Sequence, residues 1–336
     1  MNNTQSDTIQ SDIKGGINGS TVKIIAVLAM LIDHMAATLL IRYLASGMQA
    51  AQAAGTALAW QQEHAILYSA YYFMRDIGRL GFPIFCFLLA EGFQHTRNVK
   101  KYALRLGIFA LISEFPFNLA ICGQTFNINY QNVYFTLLLG LLALCGFRFF
   151  ENTEKPKEAG KKGLPAFLRM TFLITGIVFP ILYLSGSELM DSLETNIRIL
   201  FCAIAFGGTV TGFLLYGMQR GLRRIQTVGA DMTVLVLCMA GADILHTDYS
   251  GMGVLAIAVM YLLRGHRVSA MLAGCVVLVF LSLTELPAFF AVIPIALYNG
   301  RRGLKMKYFF YAFYPVHLTL LYLCAVLMGL GGIRLL

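Results

Sequence analysis

Val22 to Leu44 reads VKIIAVLAMLIDHMAATLLIRYL, a run that is apolar but for Lys23 near one end, Asp33 and His34 at its centre and Arg42 near the other end. A helix needs about 20 such residues to cross the hydrocarbon core of a bilayer. The run therefore predicts a membrane-spanning helix that carries two polar groups halfway through. Those groups fit poorly with the short apolar core of a cleaved signal, so the run reads as a retained helix.

Working outward, similar runs recur near 68–94, 100–121, 132–150, 166–185 and 196–217. Others lie near 229–245, 249–264, 268–282, 286–299 and 308–331, several of them short enough to be tilted, re-entrant or broken. Of the 336 residues 58% are hydrophobic and 13% charged, against roughly half and a quarter in soluble domains. The runs lack the short period-2 alternation of a membrane barrel. The fold expected is all-α: a polytopic integral membrane helix bundle of about 10–11 transmembrane helices, with residues 1–20 a disordered polar tail and 21–336 a single membrane domain.

A net charge of +9 raises nucleic acid as a partner, but the basic residues sit in short clusters between apolar runs and form no stripe. The bilayer is the partner that this pattern predicts. Alternate segments hold 21 of the 26 Lys and Arg, from Lys14 and Lys23 through the Arg97–Arg105, Arg148–Arg169, Arg220–Arg224 and Arg264–Arg267 clusters to Arg301–Lys307. The opposite loops hold Arg42, Arg198 and Arg334. By the positive-inside rule the N-terminus is expected in the cytoplasm, with eleven crossings of the membrane. The loop from Gly47 to His64, with the sole Trp60, reads as an interfacial helix or a lid, and Glu151 to Gly163 as a flexible charged loop. The seven cysteines are scattered singly, without metal-ligand or redox spacing, and no metal is expected.

Ionisable side chains inside a span are costly and mark function or mutual neutralisation. Arg75, Asp76 and Arg79 lie in the second run, where Asp76 and Arg79 have the spacing of an internal ion pair. Glu91, Asp231 and Glu285, close to helix ends, are read as reaching water and given no chemistry. Lys23 and His34 are eleven residues apart, close to three turns or about 16 Å along one helix face. Lys23 at the mouth suits a phosphate, and His34 at mid-depth suits proton transfer at neutral pH. Asp33 projects about 100° away and is expected to pair with an Arg or a neighbouring helix. Tyr314 and His317, three apart around Pro315, suit a cavity wall. Glu114-Phe115-Pro116-Phe117-Asn118 is a second proline-interrupted polar stretch, with Asn132 and Thr136 beginning the next span.

The chain resembles the TraX family, membrane proteins named for N-terminal acetylation of conjugative pilin. The residues that carry the resemblance are Lys23 with Asp33-His34, Ile77 to Phe85, Ala90 to Phe93, His95 to Asn98, Tyr134-Phe135-Thr136, Asp248-Tyr249-Ser250-Gly251 and Lys307 to His317. The basic residue and histidine of the first helix are more distantly similar to the transmembrane acyltransferase superfamily, in which Arg usually stands where Lys23 does. The resemblance implies an acetyltransferase that takes acetyl-CoA from the cytoplasm and serves an amine or hydroxyl acceptor reached from the opposite side. It implies His34 as general base or acetylated intermediate, with Asp33 beside it. Arg79 would stabilise the thioester oxyanion or hold the pantetheine arm. Donor contacts would come from Lys23 and Arg75, from Arg97 and Lys101, from Arg301 and Lys305, and from Tyr314 and His317. Acceptor contacts would come from Glu114, Asn118, Asn132 and Asp248. The competing expectation is a proton-coupled transporter or flippase using the same buried charges. No second-half segment repeats the Asp33-His34 or Arg79 pattern, which favours the enzyme.

Overall fold

The computed structural model describes residues 16–154, 165–185, 195–304 and 307–333. Lys305, residues 1–15, Arg334 and most of the Glu151–Gly163 loop lie outside the described residues. The described residues form a helical bundle whose β-structure is confined to two isolated bridges, Ile17 with Tyr298 and Gln131 with Thr247. The helices, numbered here in chain order, are α1 (Gly19–Ala53), α2 (Ala57–Glu63), α3 (Ala65–Gly78), α4 (Gly81–His95), α5 (Val99–Cys122) and α6 (Val133–Glu154). They continue with α7 (Ala166–Ser185), α8 (Thr195–Arg220), α9 (Leu222–Ile244), α10 (Ser250–Leu262), α11 (Arg267–Leu281), α12 (Leu283–Ala296) and α13 (Lys307–Leu327).

Six helices among the described residues are long and apolar enough to cross a membrane, within α1, α5, α6, α7, α9 and α13. Helices α10, α11 and α12 are apolar but shorter, as expected of tilted or broken spans. The bundle is apolar inside and out. Ile84, Leu141, Leu144, Ile257 and Leu278 are fully enclosed, while Phe73, Leu104, Ile204 and Leu320 face outward. An apolar exterior is the proper surface for a protein whose solvent is lipid.

Prolines shape the inner helices. The span expected at 68–94 is two helices, because Pro83 has no N–H to give the carbonyl of Arg79, and the chain turns at Arg79-Leu80 between α3 and α4. Pro116 precedes a π-turn at Asn118–Cys122, and a second π-turn, Ala36–Leu40, follows Asp33-His34. Such turns widen a helix and free carbonyls. Arg42, counted by its sequence position with the outer loops, is instead fully buried at 0% exposure and gathers these carbonyls. Its Nη1 donates to Thr38 O at 2.9 Å and Ala120 O at 2.5 Å, and its Nη2 to Leu119 O at 2.8 Å.

Helix α1 starts at Gly19, capped by the Asn18 side chain, and Ile17 bridges to Tyr298, so the chain is ordered from within the tail expected to be disordered. Lys23 of α1 lies over the Phe310 ring and His34 meets His317. Both partners sit on α13 and their order ascends with that of α1, so the two helices run parallel.

Candidate functional site

The two histidines meet where α1 and α13 pass each other. His34 Nδ1 is 2.6 Å from His317 Nε2, and the ring planes agree within 6°. Their centroids are 4.9 Å apart, a separation that rings with touching nitrogens reach only when laid end to end, so this is an in-plane hydrogen bond and not a face-to-face stack. His317 is 4% exposed, and its Nδ1 lies 2.6 Å from the Phe313 carbonyl, one turn back on the same helix. The Phe313 ring lies against the His317 ring. Tyr314 presents an edge to both imidazoles at 5.7 Å. Because Pro315 has no N–H for the Tyr311 carbonyl, that oxygen accepts the Tyr134 hydroxyl at 3.2 Å, which ties α6 to α13.

Asp33 turns away from the imidazole as its helical position predicts: Oδ2 is 3.9 Å from His34 Nε2, beyond hydrogen-bonding distance. It accepts instead from Arg75 Nη1 at 2.7 Å. Helix α3 comes this close because residue 78 is glycine; a Cβ there would run into the Asp33 side chain.

The internal Asp76–Arg79 pair expected from spacing is not among the ion pairs of the described residues. Arg79 Nη1 binds Glu285 of α12 at 2.7 Å. The backbone turn at Arg79-Leu80 carries the guanidinium off the stripe that a continuous helix would have given it. Glu285, expected at a wet helix end, is 3% exposed. Tyr249 completes this corner, in hydrogen-bonding reach of Arg79 and with its ring stacked on Phe82 at 3.7 Å. Tyr249 is left-handed, φ 64°, as are His246 and Ser250 nearby. A bulky side chain in that region is held by its surroundings and is typical of functional loops.

The polar residues of the acceptor expectation cluster as two groups. Glu114 Oε2 accepts from the Asn132 side-chain amide at 2.5 Å, and Oε1 from Asn118 at 3.2 Å. Asp248, in the loop between α9 and α10, accepts the Tyr130 hydroxyl at 3.0 Å, while its own carbonyl receives the Thr136 hydroxyl. Burial pushes the Asp248 carboxyl above the usual carboxylate range, against the opposing pull of the Tyr130 hydrogen bond and of Arg79 and Arg75. Tyr314 links the groups to the histidines: its ring meets Tyr134 edge-on at 5.1 Å, and Asp248, Tyr130 and Glu114 all lie within its electrostatic reach.

At the other end Lys23 lies 5.6 Å from the Phe310 ring centroid, in electrostatic contact with Arg302 and Glu91. The loop that carries Arg301 and Arg302 folds over the start of α1, Gly19 N donating to Arg301 O at 2.8 Å. Arg301, Arg97 and Lys101 are exposed, Arg97 just before α5 and Lys101 in its first turn. The structure brings none of these three to the histidine pair.

The pairing of Glu285, the depth of Arg42, Tyr130 and Tyr134's tie to Tyr311 are the features that the sequence does not single out. The only signal for the first was an acid in an apolar run two residues before Pro287. The fold and site together define an all-α integral membrane protein with a buried histidine pair, flanked by two arginine–carboxylate bridges that reach across helices.

Comparison with known proteins is consistent with that class. The chain belongs to the TraX family, whose description, TraX protein, matches residues 18–159 and 168–325. A curated relative is the probable fimbrial assembly protein FimC, serogroup H1, of Dichelobacter nodosus, 34% identical over 131 residues. The match covers 37% of this chain and 43% of that relative's length. No solved structure matches.

Proposed function

We propose that this protein is an integral membrane acetyltransferase of the bacterial plasma membrane, N-terminus in the cytoplasm, moving an acetyl group from cytoplasmic acetyl-CoA to an amine or hydroxyl acceptor reached from the other side. The observation that carries the proposal is the His34 imidazole. It stands mid-way along the first membrane helix, on the face that also carries Lys23 about 16 Å below, and is backed by a second imidazole. A coenzyme with a charged nucleotide at one end and a reactive thioester at the other has the form that such a layout suits. The pilin acetylation implied by the resemblance and the fimbrial assembly name of the relative support an acceptor belonging to pilus machinery.

The residues present fit a CoA thioester. Lys23, with Arg301 and Arg302 beside the start of α1, offers positive charge to the phosphates, and the run of α1 from Lys23 to His34 offers the pantetheine arm a path. Lys23 holds charge but lacks the bidentate fork of Arg. In the proposed step His34 takes the proton from the acceptor nitrogen or oxygen as that atom bonds the acetyl carbon. The carbon–sulphur bond breaks, and the same imidazole returns the proton to the departing sulphur, so no outside acid is needed. Both arginines are paired with a carboxylate at 2.7 Å, Arg79 with Glu285 and Arg75 with Asp33, but of the two Arg75 is the one within the electrostatic neighbourhood of His34. Arg75 is therefore the cation proposed to stabilise charge on the thioester oxygen, with Asp33 holding it in place. Glu114, Asn118, Asn132 and Asp248 are proposed to line the acceptor's approach.

Purified protein in detergent, given acetyl-CoA, tests this reading. Acetyl-CoA is expected to raise the thermal midpoint and to be hydrolysed slowly when no acceptor is present, with hydrolysis lost in His34→Ala. Hydrolysis unaffected by His34→Ala overturns the role of the imidazole, and absence of any binding overturns the donor.

A further inference from the structure

We infer that His317 is a positioning residue that sets the tautomer of His34, leaving His34 Nε2 as the atom that receives the acceptor's proton. The inference starts from Phe313. Its carbonyl oxygen can only accept, so the 2.6 Å contact requires a hydrogen on His317 Nδ1. A neutral imidazole carries one N–H, so His317 Nε2 then bears a lone pair. That lone pair faces His34 Nδ1 at 2.6 Å, and two lone pairs at this distance repel. His34 Nδ1 must carry the hydrogen, and its Nε2 is left with the free pair. The opposite assignment fails twice, setting lone pair against lone pair between the rings or lone pair against the Phe313 oxygen.

The remaining neighbours leave the assignment standing. The titratable and charged groups facing His34 are Asp33, Arg75, Tyr314 and His317. Asp33 would reverse the tautomer if it accepted from Nε2, but it is 3.9 Å away and committed to Arg75. The arrangement is a relay with a fixed direction: carbonyl, imidazole, imidazole, free pair. It does what a carboxylate does behind the histidine of a hydrolytic triad, without placing another negative charge in the membrane. His317 Nδ1 is occupied by the carbonyl, so the relay has no further exit and the proton taken at Nε2 goes back to the sulphur. The Phe313 ring against one face of His317 keeps this geometry from rotating away.

The catalytic consequence rests on the acetyltransferase reading, but the tautomer does not, so the test reads it directly. The full chain, labelled with 15N in its six histidines and placed in lipid nanodiscs, is examined by solid-state NMR. The expected signature is a protonated Nδ1 and a bare Nε2 on both His34 and His317. His317→Gln, whose amide both donates to Phe313 and accepts from His34, should preserve the His34 signature and keep kcat within about 10-fold. His317→Ala should release His34 from its fixed tautomer and lower kcat by about 10²–10⁴-fold, a loss larger than any change in KM for acetyl-CoA. A wild-type His34 protonated at Nε2, or an unchanged His34 signature in His317→Ala, overturns the inference. If His317→Ala does not fold, the wild-type and His317→Gln spectra still decide it. A confirmed tautomer in a protein that neither binds nor hydrolyses acetyl-CoA would sink the enzyme reading and leave the relay intact.

Discussion

Arg79, at the turn between α3 and α4, and Glu285, in the 3-10 turn that opens α12, are bound at 2.7 Å with Glu285 3% exposed. The pair joins the first third of the chain to its last third at the place where Pro83 breaks a membrane helix. Removing one partner strands a buried charge, which costs about 3–5 kcal/mol, whereas replacing both with apolar groups of similar size is often neutral. Glu285→Ala is expected to lower stability in detergent by that amount, and Arg79→Met with Glu285→Leu to recover most of it. Unfolding curves of the three variants check this. A Glu285→Ala protein as stable as the parent would show that the pair contributes nothing.

Lys23 and His34 are predicted to fail in different ways. On the proposed acetyltransferase reading, Lys23→Ala removes charge from the donor's entry without touching the reacting atoms, so KM for acetyl-CoA should rise about 10-fold while kcat changes little. Lys23→Arg should bind at least as tightly as the parent, because the guanidinium adds bidentate contact with phosphate. Initial-rate kinetics separate these outcomes. A kcat loss in Lys23→Ala as large as that in His34→Ala would mean that Lys23 acts at the reacting centre.

Much of this site is legible in the sequence because helix geometry is local. The eleven-residue spacing puts Lys23 and His34 on one face, and both touch α13. The turn of about 100° between Asp33 and His34 separates their side chains, and Asp33 finds an arginine on another helix. Tyr314 and His317 share a face, their rings meeting edge-on. What spacing cannot give is a partner on a distant segment. Glu285 looks like a helix-end acid until α12 is packed against the Arg79 turn, and Asp76 looks like the partner of Arg79 until Pro83 redirects the chain. Arg42 looks peripheral because its depth depends on two π-turns that no apolar period reveals.

Gly78 sets how closely α3 approaches α1. A methyl group at this position would overlap the Asp33 carboxylate, and the neighbour it meets is one half of the Arg75 ion pair. Gly78→Ala is expected to displace Asp33 from Arg75 and lower kcat for acetyl-CoA hydrolysis about 10-fold, an effect on positioning of the kind that a small shift in a catalytic site produces. Gly81→Ala is the control, since its Cβ would meet only ordinary contacts at 3.5 Å and beyond. Equal activity in Gly78→Ala and the parent would show that the Asp33–Arg75 geometry is not needed for turnover.

Arg42 holds the two π-turns together through three carbonyl oxygens, those of Thr38, Leu119 and Ala120. Each buried oxygen left without a donor costs about 1–3 kcal/mol, and no water enters the hydrocarbon region to replace the lost bonds. Arg42→Met should therefore destabilise the fold by about 3 kcal/mol or more. Arg42→Lys should recover only part of this, because a single ammonium on a flexible stem cannot reproduce a planar fork that reaches oxygens on two helices at once. The π-turns lie just after His34 in α1 and just after Glu114 in α5, so their loosening should also reach the site. Acetyl-CoA hydrolysis by Arg42→Lys is expected to fall along with its thermal midpoint, and an Arg42→Lys protein with the parent's midpoint would show that one donor group suffices to bind the two helices.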